Sequence, residues 1–84
     1  MSRTSLKIVE DILRLLEKKD AGPSEIQKKV RINSRVYASK MIPLVGCGAV
    51  VFLVKSRKWT LSEKGRDLLG KAAELNSIIG GETP

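Results

Sequence analysis

Lysine and arginine are concentrated in the middle of this 84-residue sequence, whose net charge is +7. Residues 24–60, called the basic segment below, contain eight of these cations and one acidic residue, Glu25, and so carry the whole net charge. The eight cations are Lys28, Lys29, Arg31, Arg35, Lys40, Lys55, Arg57 and Lys58. This clustering predicts a polyanion binder, because such cations neutralise closely spaced anions such as phosphates. The alternative is a solvated basic surface without a ligand.

Catalytic and metal-binding side chains are scarce. The sequence has no His and one Cys, Cys47, which excludes an internal disulfide and an ordinary Cys/His zinc site. The usual general base is also missing. We therefore expect a protein that is not an enzyme and that has no catalytic residues, metal or cofactor. Cys47 lies between two glycines and is interpreted as a small turn residue, with an intermolecular disulfide or redox switch as the alternative.

The length predicts one domain over residues 1–84, with a core over about residues 5–79 and a loose tail over residues 80–84. No run of 18 apolar residues and no apolar N-terminal stretch occurs, so we expect neither a membrane span nor a signal peptide.

The spacing of apolar residues predicts a first helix from about Leu6 to Lys18, followed by a break and a short second helix. Thr4 or Ser5 can cap the first helix. Ser24 can cap the second helix in a capping box with Gln27. The buried stripe of the first helix is predicted to consist of Val9, Ile12, Leu13 and Leu16.

A third helix is predicted to run to about Val45, with Asn33 or Ser34 as its cap. Its buried face is predicted to hold Tyr37, Met41 and Leu44, which are spaced by four and three residues. The opposite face then holds Ser34, Arg35, Ala38 and Ser39, with Ile42 as a further candidate. Pro43 lies inside this helix and removes one backbone hydrogen bond, so we expect a kink or an early end there.

A hairpin is predicted after the third helix, with strands over residues 49–55 and 59–61 and a polar tip over residues 56–58. The first strand is apolar on both faces, although a strand with one solvated face should alternate. Either a C-terminal helix or a partner subunit must therefore cover its second face. That helix is predicted from Glu63, capped by Ser62, to about Ile79. Its apolar face would hold Leu68, Ala72, Leu75 and Ile79.

The order helix, short helix, tight turn, helix, hairpin, helix resembles the winged helix-turn-helix DNA-binding domains, in particular small archaeal regulators and chromatin-type proteins. Such domains typically end the wing with an aromatic-X-Leu-Thr/Ser-X-Lys-Gly run, which this sequence has as Trp59-Thr60-Leu61-Ser62-Glu63-Lys64-Gly65. The other stretches that carry the resemblance are residues 6–13, 23–26 and 33–44. The resemblance implies an α+β fold, mostly α, with a three-helix core, a two-stranded wing and a C-terminal helix.

The resemblance also implies how DNA would be bound. Helix 34–45 would enter the major groove, and the wing at residues 55–58 would reach the phosphate backbone or a minor groove. Arg35 is the first candidate for a base contact, because its guanidinium matches guanine O6 and N7. The remaining candidate contacts to bases or phosphates are Ser34, Ala38, Ser39, Lys40, Lys28, Lys29, Arg31, Lys55, Arg57 and Lys58.

We therefore expect a double-stranded DNA-binding transcriptional regulator that is cytoplasmic and associated with the nucleoid. No small-molecule ligand is evident. An architectural or chromatin-type DNA-binding protein and a winged-helix protein–protein interaction module are the alternatives. The two-faced apolar strand further predicts a homodimer, formed through helix 63–79, through strand 49–54, or through both.

Overall fold

The computed structural model describes residues 4–71 and residue 74. Within this part of the chain the elements follow the predicted order and confirm a mostly helical α+β fold with a two-stranded wing. The elements are α1 (Ser5–Lys18), α2 (Pro23–Val30), α3 (Ser34–Gly46), β1 (Val50–Leu53), β2 (Lys58–Leu61) and α4 (Glu63–Leu69). None of the helices in residues 4–71 and 74 is both long and apolar enough to cross a membrane.

The core lies between the helices and the base of the hairpin. All four residues of the predicted α1 stripe are at most 3% exposed, and the predicted buried positions Met41 and Leu44 of α3 are also inside. Removing each of these side chains from water stabilises the fold by about 1.5–3 kcal/mol. The buried core residues are Val9, Ile12, Leu13, Leu16, Ala21, Ile26, Val30, Met41, Leu44, Ala49, Val50, Leu61 and Leu68.

Side chains cap α1 and α3 as expected, but the predicted cap of α2 is wrong. Thr4 Oγ1 accepts a hydrogen bond from the Lys7 N–H, and Asn33 Oδ1 accepts one from the Val36 N–H at 2.8 Å. Helix α2 instead begins at Pro23, with Gly22 as its N-cap and no side-chain cap bond, so Ser24 lies inside the helix. Proline favours the first helical position, because its φ is already helical and it has no N–H to satisfy.

Helix α3 ends at Gly46, one residue beyond the predicted end, so of the two expected effects of Pro43, a kink or an early end, the early end does not occur. Met41 and Leu44 lie on either side of Pro43 in sequence, and both are buried. Their packing holds both halves of the helix against the core despite the backbone hydrogen bond that proline removes. The chain then turns through Cys47, the C-cap, and Gly48, whose φ of 82° favours glycine.

The wing is an antiparallel hairpin in which Val50 pairs with Leu61 and Phe52 pairs with Trp59. Its first strand is shorter than predicted, and Lys58 begins the second strand rather than completing the tip. The turn covers residues 54–57. It closes with a hydrogen bond from the Arg57 N–H to the Leu53 carbonyl at 2.7 Å, and Arg57 has a left-handed φ of 56°.

Strand β2 also pairs through its second edge, the one that does not face β1, and the sequence patterns did not predict this pairing. Ala21 and Trp59 exchange two backbone hydrogen bonds, at 3.1 Å and 2.7 Å, and form an isolated antiparallel bridge. The connection between α1 and α2 therefore acts as a one-residue third strand. It ties the wing to the helical part of the domain.

Helix α4 is shorter than predicted. It ends at Leu69 and is followed by Gly70 and the non-helical Lys71, so an unbroken helix to Ile79 is wrong. Glycine ends the helix because its backbone loses more conformational entropy in a helix than other residues do. Leu68 is buried as predicted. Of the remaining positions on the predicted apolar face, Ala72, Leu75 and Ile79 lie outside the described residues.

Ser62 and Gly65 join α4 to the base of the wing. The Ser62 Oγ accepts a hydrogen bond from the Gly65 N–H, which confirms the predicted cap. The same hydroxyl lies within donor distance of the Gly48 and Ala49 carbonyls. Gly65 is buried, and a Cβ at this position would lie 2.3 Å from the Ala49 carbonyl oxygen. This close approach is the physical reason for the Ser-X-X-Gly spacing in the motif.

Candidate nucleic-acid interface

Helix α3 presents one exposed polar and basic face. Ser34, Arg35, Ala38 and Ser39 are all exposed, and the side chain of Ile42 is 72% exposed. The spacing of the buried residues on the opposite face fixes this orientation. The structure therefore brings together four of the five candidate contact residues of this helix. The outward position of Ile42 is also confirmed.

Lys40 is the exception among the candidates on α3. It is half-buried, and its ammonium donates a hydrogen bond to Ser5 Oγ at the start of α1. The ammonium therefore lies toward α1 rather than with the exposed face of α3. The Ser39 hydroxyl donates a hydrogen bond to the Val36 carbonyl in the preceding turn of α3, at 2.9 Å. This bond directs the hydroxyl toward the backbone of α3.

A hydrogen bond between two aromatic side chains links α3 to the wing. Trp59 Nε1 in β2 donates to the Tyr37 hydroxyl oxygen in α3 at 2.8 Å. Burial raises the pKa of Tyr37, and the hydrogen bond from Trp59 opposes that rise. The hydroxyl therefore stays neutral at physiological pH. Both rings are half-buried and pack against the core, which confirms the predicted packing of the wing onto the helices by Trp59.

Phe52 completes an aromatic cluster that contains every aromatic residue of the chain. The Phe52 and Trp59 rings meet edge to face, with centroids 5.0 Å apart and planes at 62°. Trp59 is thus held in three ways: by the Tyr37 hydroxyl, by the Phe52 ring and by the backbone of Ala21. The cluster fixes the wing relative to α3.

Two further groups of exposed cations lie on α2 and on the wing. Lys28 and Lys29 are exposed in the last turn of α2, where positive charge also complements the helix dipole. Arg31 follows them as the exposed C-cap, with a left-handed φ of 63°. The second group lies on the wing, where Lys55, Arg57 and Lys58 are all exposed.

Glu25, the acidic residue of the basic segment, is neutralised by a residue outside that segment. Its carboxylate pairs with the Lys19 ammonium at 2.5 Å. The hydrogen bond from Lys19 lowers the pKa of Glu25 against a smaller opposing effect of burial. The charges of Lys58 and Lys29 lower this pKa further. Cations of the wing and of α2 therefore lie within electrostatic reach of one carboxylate. The sequence patterns did not predict that Lys19 pairs with Glu25.

Helix, turn, helix and wing, with cations exposed on three of these elements, define a helix-turn-helix class of protein. The family model for the winged helix-turn-helix matches residues 2–80, and the chain belongs to this family. Membership in it indicates DNA binding. A search of curated proteins found no match, and neither did a search of solved structures.

Proposed function

We propose that this protein is a transcriptional regulator that binds double-stranded DNA. Helix α3 enters the major groove, and the wing lies on the phosphate backbone or in a minor groove. One observation carries the proposal. The exposed cations of α3 and of the wing belong to elements that the Trp59–Tyr37 hydrogen bond joins, and the Ala21 bridge ties the wing to the connection that leads into α2. DNA would therefore meet a preformed basic surface.

The proposed contacts divide into those that read bases and those that hold phosphates. Arg35 donates to guanine O6 and N7. Ser34, Ala38 and Ser39 line the same face and contact bases or the adjacent backbone. Lys40 contacts a phosphate at the edge of the groove after its ammonium leaves Ser5. The proposed phosphate or minor-groove contacts from α2 and the wing are Lys28, Lys29, Arg31, Lys55, Arg57 and Lys58.

Binding to a mixed-sequence duplex, followed by fluorescence anisotropy over a series of salt concentrations, tests the proposal. The logarithm of the binding constant falls with the logarithm of salt by about 0.9 for each neutralised phosphate. We expect a slope steeper than about −3, which corresponds to three or more phosphate contacts. Absence of binding at low salt would refute DNA binding and favour a protein partner.

Single substitutions then separate the two kinds of contact. Lys58→Ala should flatten the salt slope by about one unit on every sequence. Arg35→Ala should lose about 1–3 kcal/mol of discrimination at one base pair of a selected site. Lys7→Ala is the matched control, because this exposed lysine of α1 pairs with Asp11 at 3.3 Å and lies outside the proposed DNA contacts and the proposed dimer interface. Its removal should leave the slope unchanged.

The ratio of specific to non-specific affinity separates a regulator from an architectural protein. A regulator that reads sequence binds its selected site about 10³-fold or more tighter than random DNA. An architectural protein that contacts only the backbone would show no such preference. Competition of a selected duplex against random duplex at one salt concentration measures this ratio.

We also propose that residues 1–84 form one domain and that the protein acts in the cytoplasm on the nucleoid.

We further propose that two copies of the protein associate. Val51 and Val54 on the hairpin are 49% and 79% exposed, which supports an interface that includes β1. The rest of the proposed interface, helix 63–79, lies partly outside the described residues. Sedimentation equilibrium at micromolar concentration should give a dimer mass. A two-fold dimer would read half-sites about one helical turn apart.

A further inference from the structure

Ile42 is a large aliphatic side chain that the core does not use. Its side chain is 72% exposed, whereas Met41 beside it and Leu44 two residues later are 4% and 0% exposed. The exposed face of α3 otherwise carries small, polar or charged residues at its centre. The Ile42 side chain on this face is therefore available to contact an apolar group of a ligand.

Helical spacing places Ile42 beside the proposed base-reading residues. It follows Ala38 by four residues and Ser39 by three, and residues at these separations are neighbours on a helix surface. It follows Arg35 by seven residues, which is two turns along the same face. Ala38 and Ile42 thus form an apolar patch on α3 next to Arg35. All four residues are exposed.

We infer that Ile42 reads the C5-methyl group of a thymine in the major groove. This inference rests on the proposed function. The thymine methyl is the apolar group that the base edges of ordinary DNA present in the major groove, so it is the complement of an aliphatic side chain there. Isoleucine suits the task because its β-branched side chain occupies few rotamers in a helix. It also offers no hydrogen bond that a different base could use.

The position of the thymine follows from the helix geometry. Seven residues at 1.5 Å each separate Ile42 from Arg35 by about 10 Å along the helix axis. Stacked base pairs are about 3.4 Å apart. The selected site should therefore contain a thymine within about three base pairs of the guanine that Arg35 contacts, the limit reached when α3 lies parallel to the DNA axis.

Replacing thymine by deoxyuridine, one position at a time in the selected duplex, tests this inference. Deoxyuridine keeps every hydrogen-bonding group of thymine and lacks the methyl. At one position we expect the wild-type protein to bind the deoxyuridine duplex about fourfold more weakly, the factor that corresponds to burying one methyl-sized group. The Ile42→Ala variant should bind the two duplexes equally, and Ile42→Val should keep part of the difference.

Two controls separate this reading role from a general loss of binding. Ile42→Ala should leave the salt slope unchanged, since no phosphate contact is lost. Lys7→Ala changes an exposed side chain of α1 that belongs neither to the proposed DNA contacts nor to the proposed dimer interface, and it should keep the full thymine preference. Circular dichroism should show that both variants remain folded, because neither side chain belongs to the core.

Three results would overturn the inference. The wild type could bind every deoxyuridine duplex as tightly as the thymine duplex, or Ile42→Ala could keep the full thymine preference. Ile42→Ala could also convert a dimer to a monomer without changing that preference, which would assign Ile42 to a protein interface. In each of these cases salt-dependent binding to DNA would persist. Its absence would instead refute the proposed function.

Discussion

Gly65→Ala should destabilise the protein strongly, because the backbone of α4 approaches the base of the wing closely at Gly65. An added Cβ would lie 2.3 Å from the Ala49 carbonyl oxygen and 2.4 Å from Leu61 Cδ1, whereas ordinary contacts are 3.4–4 Å. The carbonyl would have to move by about 1 Å to restore ordinary contact. That carbonyl accepts a hydrogen bond from the Ser62 N–H at 3.0 Å, so moving it also strains the cap of α4.

The expected loss can be estimated from these contacts. Overpacking of this kind costs about 1–3 kcal/mol, and weakening one hydrogen bond adds about 1 kcal/mol. The better helix propensity of alanine offsets up to about 1 kcal/mol. The net loss is therefore about 2 kcal/mol, which lowers the Tm of a domain this small by roughly 8–16 °C.

Urea and thermal unfolding of Gly65→Ala and Gly46→Ala measure this effect against a matched control. Gly46 is also helical, but a Cβ added there meets no heavy atom within 4 Å. Gly46→Ala should therefore be neutral or stabilising by about 0.4–1 kcal/mol. A loss below about 0.5 kcal/mol for Gly65→Ala would show that the junction accommodates a methyl group, and the packing explanation of the motif would be refuted.

Three further substitutions test other contacts. Tyr37→Phe removes the acceptor of the Trp59 Nε1–H hydrogen bond, and urea unfolding should show that the free energy of unfolding falls by about 1 kcal/mol. An unchanged urea midpoint would contradict the link between α3 and the wing. Ser62→Ala removes the cap of α4, and thermal unfolding should show a loss of about 0.5–2 kcal/mol. Glu25→Gln tests the pH dependence. Since Lys19 lowers the pKa of Glu25 below its ordinary value of 4.5, the ionised carboxylate stabilises the fold fully above that value and progressively less as the pH falls through the folded pKa. The stability difference between wild type and Glu25→Gln should therefore shrink in acid, and a constant difference would argue against the ion pair.

The helical part of the fold could be predicted from the sequence because one local periodicity decides it. Val9, Ile12, Leu13 and Leu16 have the spacing of one helix face, and all are buried. In α3, Tyr37, Met41 and Leu44 identify the inner face, and the opposite, exposed face follows from them. The exposed face of α3, which carries the candidate contact residues, could be predicted for the same reason, since an exposed face is the complement of a buried one.

Features that depend on contacts between distant residues could not be predicted in this way. The Ala21–Trp59 bridge joins backbone groups, and backbone hydrogen bonds leave little trace in side-chain patterns. The Lys19–Glu25 pair depends on how α1 and α2 cross. The break at Gly70 had a local cause, but the apolar spacing on both sides of Gly70 favoured a continuous helix.

The aromatic cluster explains how a domain of this size can present cations from separate elements in a fixed arrangement. The major and minor grooves of DNA have set widths, so a wing that moved freely relative to α3 would have to be ordered on binding, at the expense of affinity. Trp59 limits that motion through a side-chain bond to Tyr37, a ring contact with Phe52 and a backbone bridge to Ala21. Because these contacts already exist in the free protein, the wing cations would need little further ordering to bind DNA together with Arg35, as we propose. Loosening the cluster should therefore weaken the proposed DNA contacts of the wing more than the proposed DNA contacts of α3, since α3 is held independently by Met41 and Leu44 in the core.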